Sequence, residues 1–320
     1  MNGFNYLMLA GAGGAVLLFI LLTLALTRRG RVGGGFGAPT PPPAPQLAPS
    51  SAPAAAIPAA PLPPYRPWRL VARDIANPDS AGGPLYRLKL EPEGSLPGWR
   101  AGAVANIYCG PAADALDTGP GVSALAGDYM VGSLPEDGAV EIVVRLYAQQ
   151  TPDQTRRSRW LCQEIETGQQ VALALRDNPD FVPPPQEVPL ILIGNATGLA
   201  GLQAHIKARP PGTRNWLIFG DRNSAGDRAL AAEITDWVSS GHLERCDLVF
   251  PGEGREQRHV TDQIEDARTP LLDWVLAGAA IYVCGSRLMG EDVHSALISL
   301  LGEDVVDEMA EQGLYRLAVY

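Results

Sequence analysis

Chemically useful residues are densest in the turn Gly194-Asn195-Ala196-Thr197-Gly198-Leu199-Ala200-Gly201, which follows the apolar run Leu190-Ile191-Leu192-Ile193. Glycines at such a turn let the backbone approach a pyrophosphate, and the free N–H groups and dipole of a helix starting there favour its negative charge. The competing reading is a tight strand-to-helix turn, which G-x-x-x-G spacing alone does not exclude. The four cysteines, Cys109, Cys162, Cys246 and Cys284, share no C-x-x-C spacing, and His205, His242, His259 and His294 form no paired-ligand pattern. No metal site is therefore expected, and scattered thiols fit a reducing compartment. Arg156, Arg157 and Arg159 form a basic cluster within an acidic chain.

The chain has 320 residues and a formal net charge of −10. That balance opposes any partner bound by phosphate neutralisation, so no nucleic-acid partner is expected. The charge is unevenly spread: residues 1–64 hold no Asp or Glu and only Arg28, Arg29 and Arg31, whereas the remainder carries 35 acidic against 22 basic groups. Residues 6–26 are uncharged and apolar, about the length of a membrane-crossing helix. With the arginines following the run, the positive-inside rule predicts a single-pass anchor in an inner (cytoplasmic) membrane, the C-terminal domains facing the cytoplasm. Residues 30–64, with eleven prolines, cannot bury a core and read as a semi-stiff linker. The expected organisation is an anchor over 1–29, a linker over 30–64, a β-barrel over 65–186 and an α/β domain over 187–320.

Short apolar runs separated by Gly, Pro and Asp turns fill the barrel segment: Trp68-Arg-Leu-Val-Ala, Leu85-Tyr-Arg-Leu-Lys-Leu, Val104-Ala-Asn-Ile-Tyr, Val140-Glu-Ile-Val-Val-Arg-Leu-Tyr and Val171-Ala-Leu-Ala-Leu. Several alternate with period two, predicting a small antiparallel barrel or sandwich. From Pro189, apolar strands (190–194, 215–220, 246–250, 280–285) alternate with helical stretches near 198–208, 226–239, 258–277 and from about 290. That alternation predicts a doubly wound parallel sheet.

The order barrel, then nucleotide-type domain, with G-N-A-T-G-L-A-G on the first turn, N-W-L-I-F-G on the second strand, I-Y-V-C-G on the fourth and a C-terminal aromatic, resembles the ferredoxin–NADP reductase family. It looks closest to the FAD/NADPH-binding half of sulfite reductase flavoproteins and cytochrome P450 reductases, over roughly residues 68–320. Trp99-Arg-Ala-Gly-Ala-Val-Ala-Asn-Ile is similar to the family's W-x-A-G-D-x-x-x-I strand, and Gly127-Asp128-Tyr129-Met130-Val131-Gly132-Ser133 falls where the family has R-x-Y-S-I-A-S. The resemblance implies FAD and a nicotinamide nucleotide (NADPH or NADH), with hydride transfer to the flavin and electrons passed to a protein acceptor or membrane partner. It places Tyr129, Val131, Ser133, Ser158 and Trp160 on the FAD side. Gly194, Thr197, Gly198 and Gly285 fall on the nicotinamide nucleotide side, with Arg222 near the adenosine phosphates and Cys284 and Tyr320 at the reacting centre.

Departures cluster at the reactive positions. Gly127 stands where the family has an arginine pairing the FAD phosphates, and Met130 where it has a hydroxyl near the flavin. Ala318 replaces the acidic residue two places before the terminal aromatic, and Glu253 would repel the 2′-phosphate of NADPH. Arg156, Arg157 and Arg159 stand where the missing phosphate charge would be needed. Two alternatives to the reductase follow: a noncatalytic, reductase-like binding or assembly module that has lost FAD or nicotinamide binding, and a flavoprotein that receives electrons from a partner instead of a nicotinamide.

Overall fold

The computed structural model describes residues 63–78, 82–116, 123–148, 150–220, 228–249 and 258–320. Residues 1–62, Arg222 and Glu253 lie outside them, and with them the expected span at 6–26 and nearly all of the linker. Among the described residues no helix is long and apolar enough to cross a membrane. This corrects the single-pass inner-membrane localisation expected from the sequence.

The first sheet is antiparallel, with six strands: β1 (Arg66–Asn77), β2 (Leu85–Pro92), β3 (Val104–Tyr108), β4 (Ala126–Met130), β5 (Val140–Arg145) and β6 (Gln170–Arg176). Their order is β4-β3-β6-β1-β2-β5. The two outer strands are drawn together where the Gly132 N–H donates to the Glu141 carbonyl at 2.8 Å and the Glu141 N–H to Ser133 Oγ at 2.9 Å. Trp68, Leu70, Leu88, Leu90, Ile107, Ile142 and Leu173 fill the interior, as period-two strands with one apolar face require. Short helix α1 (Ala112–Leu116) follows β3, and α2 (Pro152–Arg159) follows β5.

The second sheet is parallel: β7 (Leu190–Asn195), β8 (Asn215–Gly220), β9 (Arg245–Val249), β10 (Ala280–Gly285) and β11 (Tyr315–Val319), in the order β11-β10-β7-β8-β9. β7, β8 and β10 are buried almost throughout, as covering both faces with helices demands. The covering helices are α3 (Leu199–Lys207), α4 (Arg228–Ser239), α5 (Val260–Asp266), α6 (Arg268–Leu276), α7 (Arg287–Leu301) and α8 (Glu303–Glu311). The stretch expected as one helix over 258–277 is two: Pro270 in the first turn of α6 has no N–H to continue the ladder, and the chain breaks at Ala267. The helix expected from about 290 starts at Arg287 under a Ser286 cap and stops at Gly302, whose φ is +95°. β11 is a further strand, absent from the expected set.

The two sheets share a core. Val104, Met130 and Phe181 from the first half pack with Leu192, Leu202, Leu217, Tyr282 and Cys284 of the second. Arg209, 1% exposed, donates to the carbonyls of Pro185 (3.2 Å), Gln186 (2.9 Å) and Val188 (2.7 Å). Both terminal nitrogens of a buried guanidinium are thus bound by the chain connecting the two sheets, while its Nε has no partner.

Candidate functional site

The strand order reverses direction between β7 and β10, so the chain departs to opposite sides from their C-terminal ends. In open α/β sheets ligands bind in the crevice this leaves. Gly194 lies in register with Cys284 across that pair, and Cys284 with Ala318 of β11. Beyond Gly194 the chain makes a 3-10 turn over Ala196–Gly198 and enters α3. Gly198 is held so close to β10 that a Cβ there would stand 2.0 Å from the Cys284 carbonyl oxygen. Ala196 has φ +48°, a left-handed conformation that a non-glycine residue adopts at a cost.

The Asn195 side chain does not cap the helix entrance. It crosses the crevice: its Oδ1 accepts from the Ser286 N–H at 3.0 Å and its Nδ2 donates to Ser286 Oγ at 3.2 Å. Neither the 3-10 turn nor α3 has a side-chain cap. No side chain occupies the first N–H groups after Asn195, which a helix entrance that binds phosphate requires. Asn195 and Ser286 were not singled out from the sequence. Their signal was adjacency, one inside the glycine turn and the other directly after Cys284-Gly285.

Cys284 is fully buried, and burial pushes its thiol up to about 12, against the opposing influence of the Tyr320 side chain and the Gly201 N–H. It is a protonated thiol near neutrality, able to donate a hydrogen bond and poorly suited as a nucleophile. Tyr320 keeps 51% of its surface exposed while its hydroxyl interacts with Thr197 and Cys284, and its N–H donates to the Gly285 carbonyl at 3.1 Å. Cys284, Tyr320, Thr197, Gly194, Gly198 and Gly285 are therefore one constellation. Met130 reaches it from the barrel: a Cβ on Gly201 would lie 2.8 Å from Cys284 Sγ and 3.1 Å from Met130 Cε.

The barrel-side residues divide. Tyr129 and Trp160 are half-buried at the barrel, and burial holds the Tyr129 phenol well above its usual range, with Cys109 Sγ 4.0 Å from its oxygen. Val131 and Ser133 turn inward: Val131 belongs to the barrel core, and Ser133 Oγ is taken by the Glu141 N–H. Ser158 is buried too, accepting from the Tyr147 N–H at 3.2 Å and donating to the Thr155 carbonyl at 3.1 Å. The segment carrying Ser158 is helical, because Thr151 caps α2 and Pro152 occupies its first position. The side chains at 131, 133 and 158, placed on the FAD side by the resemblance, thus pack into or bond within the protein.

Among the described residues no three His, Cys, Asp or Glu side chains converge as metal ligands. The residues present fit the nucleotide half well, with an uncapped helix entrance at a crevice. They fit a flavin less fully, through Tyr129, Trp160 and the α2 arginines.

No family model matches the chain. It is similar to sulfite reductase [NADPH] flavoprotein alpha-components: 29% identical over 212 residues to that of Mannheimia succiniciproducens, covering 60% of this chain and 36% of the relative. The Vibrio cholerae (strain O395) protein is 31% identical over 178 residues, covering 51% and 29%. That of Thiocapsa roseopersicina is 34% identical over 143 residues, covering 43% and 27%. The chain spans about a third of the length of the curated relatives it matches. An antiparallel sheet followed by a parallel one fits the two-domain fold that the motifs implied, and the relatives the chain matches, sulfite reductase flavoprotein alpha-components, are those that the resemblance in its motifs pointed to.

Proposed function

We propose that this chain is the electron-handling portion of an NAD(P)H-dependent flavin reductase, which takes a hydride from NADPH or NADH and delivers electrons to a protein acceptor. The observation that carries this is the convergence of Thr197, Cys284 and Tyr320 beside the uncapped entrance of α3. Relatives named as NADPH-dependent flavoproteins support the same choice of cofactors. FAD, when bound, would supply the conversion between a two-electron donor and one-electron acceptors. The N–H groups of Ala196, Thr197 and Gly198 would hold the dinucleotide pyrophosphate. The Cys284 thiol would orient the nicotinamide as a neutral donor, and Tyr320 would cover the entry beside it. Met130, Ala318 and Cys284, all buried, would keep water from the reacting face.

A second reading, a noncatalytic reductase-like module, is favoured by one observation. Met130 and Ala318 bring only apolar groups to Cys284, at a centre where an oriented polar group is typically worth a few kcal/mol. One preparation separates the two. The full-length chain, purified and supplied with FAD, is expected to become yellow and to bleach anaerobically with NADPH or NADH. A chain that stays colourless sinks the reductase and leaves the module. A yellow chain that neither nucleotide bleaches overturns nicotinamide-driven reduction and leaves a flavoprotein charged by a partner.

A further inference from the structure

Position 127 offers no side chain, yet its space is filled. A Cβ built on Gly127 of β4 would stand 3.0 Å from Arg157 Nε and 3.1 Å from Arg157 Cδ, with Tyr129 Cε2 at 3.2 Å. Arg157 reaches over the strand from α2, and its Nη1 donates to the Ala124 carbonyl at 2.8 Å. The rest of its guanidinium makes no hydrogen bond and no ion pair among the described residues, so its charge is available to an outside anion. Its two neighbours in the cluster differ: Arg156 and Arg159 are exposed, whereas Arg157 is half-buried against the barrel.

The placement has a local cause. Thr151 and Pro152 start α2, and the buried Ser158 hydroxyl ties the helix to the chain leaving β5 through the Tyr147 N–H. After Arg159 the chain widens into a π turn over Trp160–Glu164, closed by the Ile165 N–H on the Trp160 carbonyl at 3.0 Å. That extra residue re-phases the segment, sending Leu161 and Cys162 into the barrel core. Arg157, four residues before Leu161, is fixed on the barrel side.

We propose that Arg157 is the phosphate-pairing residue of the flavin site, presenting from helix α2 the guanidinium that β4 lacks at Gly127, with the pyrophosphate of FAD as its ligand. This rests on the flavoprotein reading above. A planar guanidinium fork matches phosphate oxygens in pairs, and a half-buried one held by its own carbonyl contact loses little freedom on binding. The two positions are alternatives in one space, so the glycine at 127 is what admits the arginine from 157.

The test is FAD affinity of the full-length chain, followed by flavin fluorescence, with far-UV circular dichroism confirming the fold of each variant. Arg157→Gln is expected to weaken FAD binding roughly tenfold or more, the loss of one charge-assisted contact. Arg156→Gln is expected to change it less than about twofold, as suits an exposed surface charge. Gly127→Arg combined with Arg157→Gln is expected to recover most of the affinity, since it returns the charge to the vacated space. Equal affinity of wild type and Arg157→Gln overturns the proposal, as does equal weakening by Arg156→Gln or failure of the double variant to recover. If Arg157→Gln does not fold, Arg157→Lys, which keeps the charge without the fork, is expected to bind several times more weakly than wild type, and unchanged affinity again overturns the assignment. A wild-type chain that takes up no FAD instead overturns the flavoprotein reading itself, an outcome distinct from all of these.

Discussion

At the level of single residues, buried titratable groups set the conditions under which the site can exist. His205 on α3 is fully buried between the rings of Phe181 and Tyr282, with centroids at 5.0 and 5.2 Å. Its ring nitrogens lack a well-formed hydrogen bond, and burial lowers its pKa to about 3, with the Phe181 main chain only partly offsetting that cost. The folded state therefore keeps the imidazole neutral where an unfolded chain takes up a proton. The stability this contributes is complete above about pH 6.5 and is lost as pH falls toward 3, at up to about 1.4 kcal/mol per pH unit for one proton. Denaturant titrations at pH 7.0, 6.0 and 5.0 should show that decline, and His205→Leu should flatten it. A variant retaining the wild-type slope would assign the decline to other groups. Cys284 behaves oppositely in direction: its raised pKa is lost as a contribution only as pH climbs from about 9 toward 12.

At the level of elements, the crevice depends on how closely α3 and β10 approach. Gly198→Ala would drive a methyl group to 2.0 Å from the Cys284 carbonyl oxygen, a backbone atom that cannot swing aside. A destabilisation of about 2–3 kcal/mol is expected, whereas Gly98→Ala, with open space around it, should change stability by less than about 0.5 kcal/mol. Thermal melts of the two variants check the contrast. Much of this architecture was legible beforehand. Continuous apolar runs announced β7, β8 and β10, and the glycine turn announced the entrance of α3, because burial on both faces and close backbone approach leave strong marks on sequence. What the sequence concealed depended on phase and direction. Thr155–Leu161 reads as a polar loop because its hydrogen bonds run to a cap and to main chain, which composition does not record. That Val131 and Ser133 point inward is likewise set by the register of β4 with β3 and by the bonds to β5, and no motif spacing encodes it. The short Tyr315–Val319 strand went unseen because five residues carry little periodic signal.

At the level of the whole molecule, the barrel and the parallel sheet are not independent bodies. Met130 and Val104 belong to the same core as Leu192 and Leu202. Arg87 of β2 grips both carboxylate oxygens of Glu233 on α4, and Lys207 at the end of α3 pairs with Asp137. Residues 63–320 should therefore lose structure in one guanidinium transition, coincident by tryptophan fluorescence and far-UV circular dichroism, since Trp68 and Trp99 report the barrel and Trp216 and Trp274 the sheet. An earlier, separate barrel transition would contradict the shared core. The Arg209 clasp on Pro185, Gln186 and Val188 carries a kinetic consequence. A connection gripped by three carbonyl contacts is a poor hinge, and a swing of one sheet against the other there would have to break them. For the electron delivery proposed above, such a body would depend on collision: an acceptor would have to come to it, and the pace of exchange would be set by how often it arrives and how long it stays.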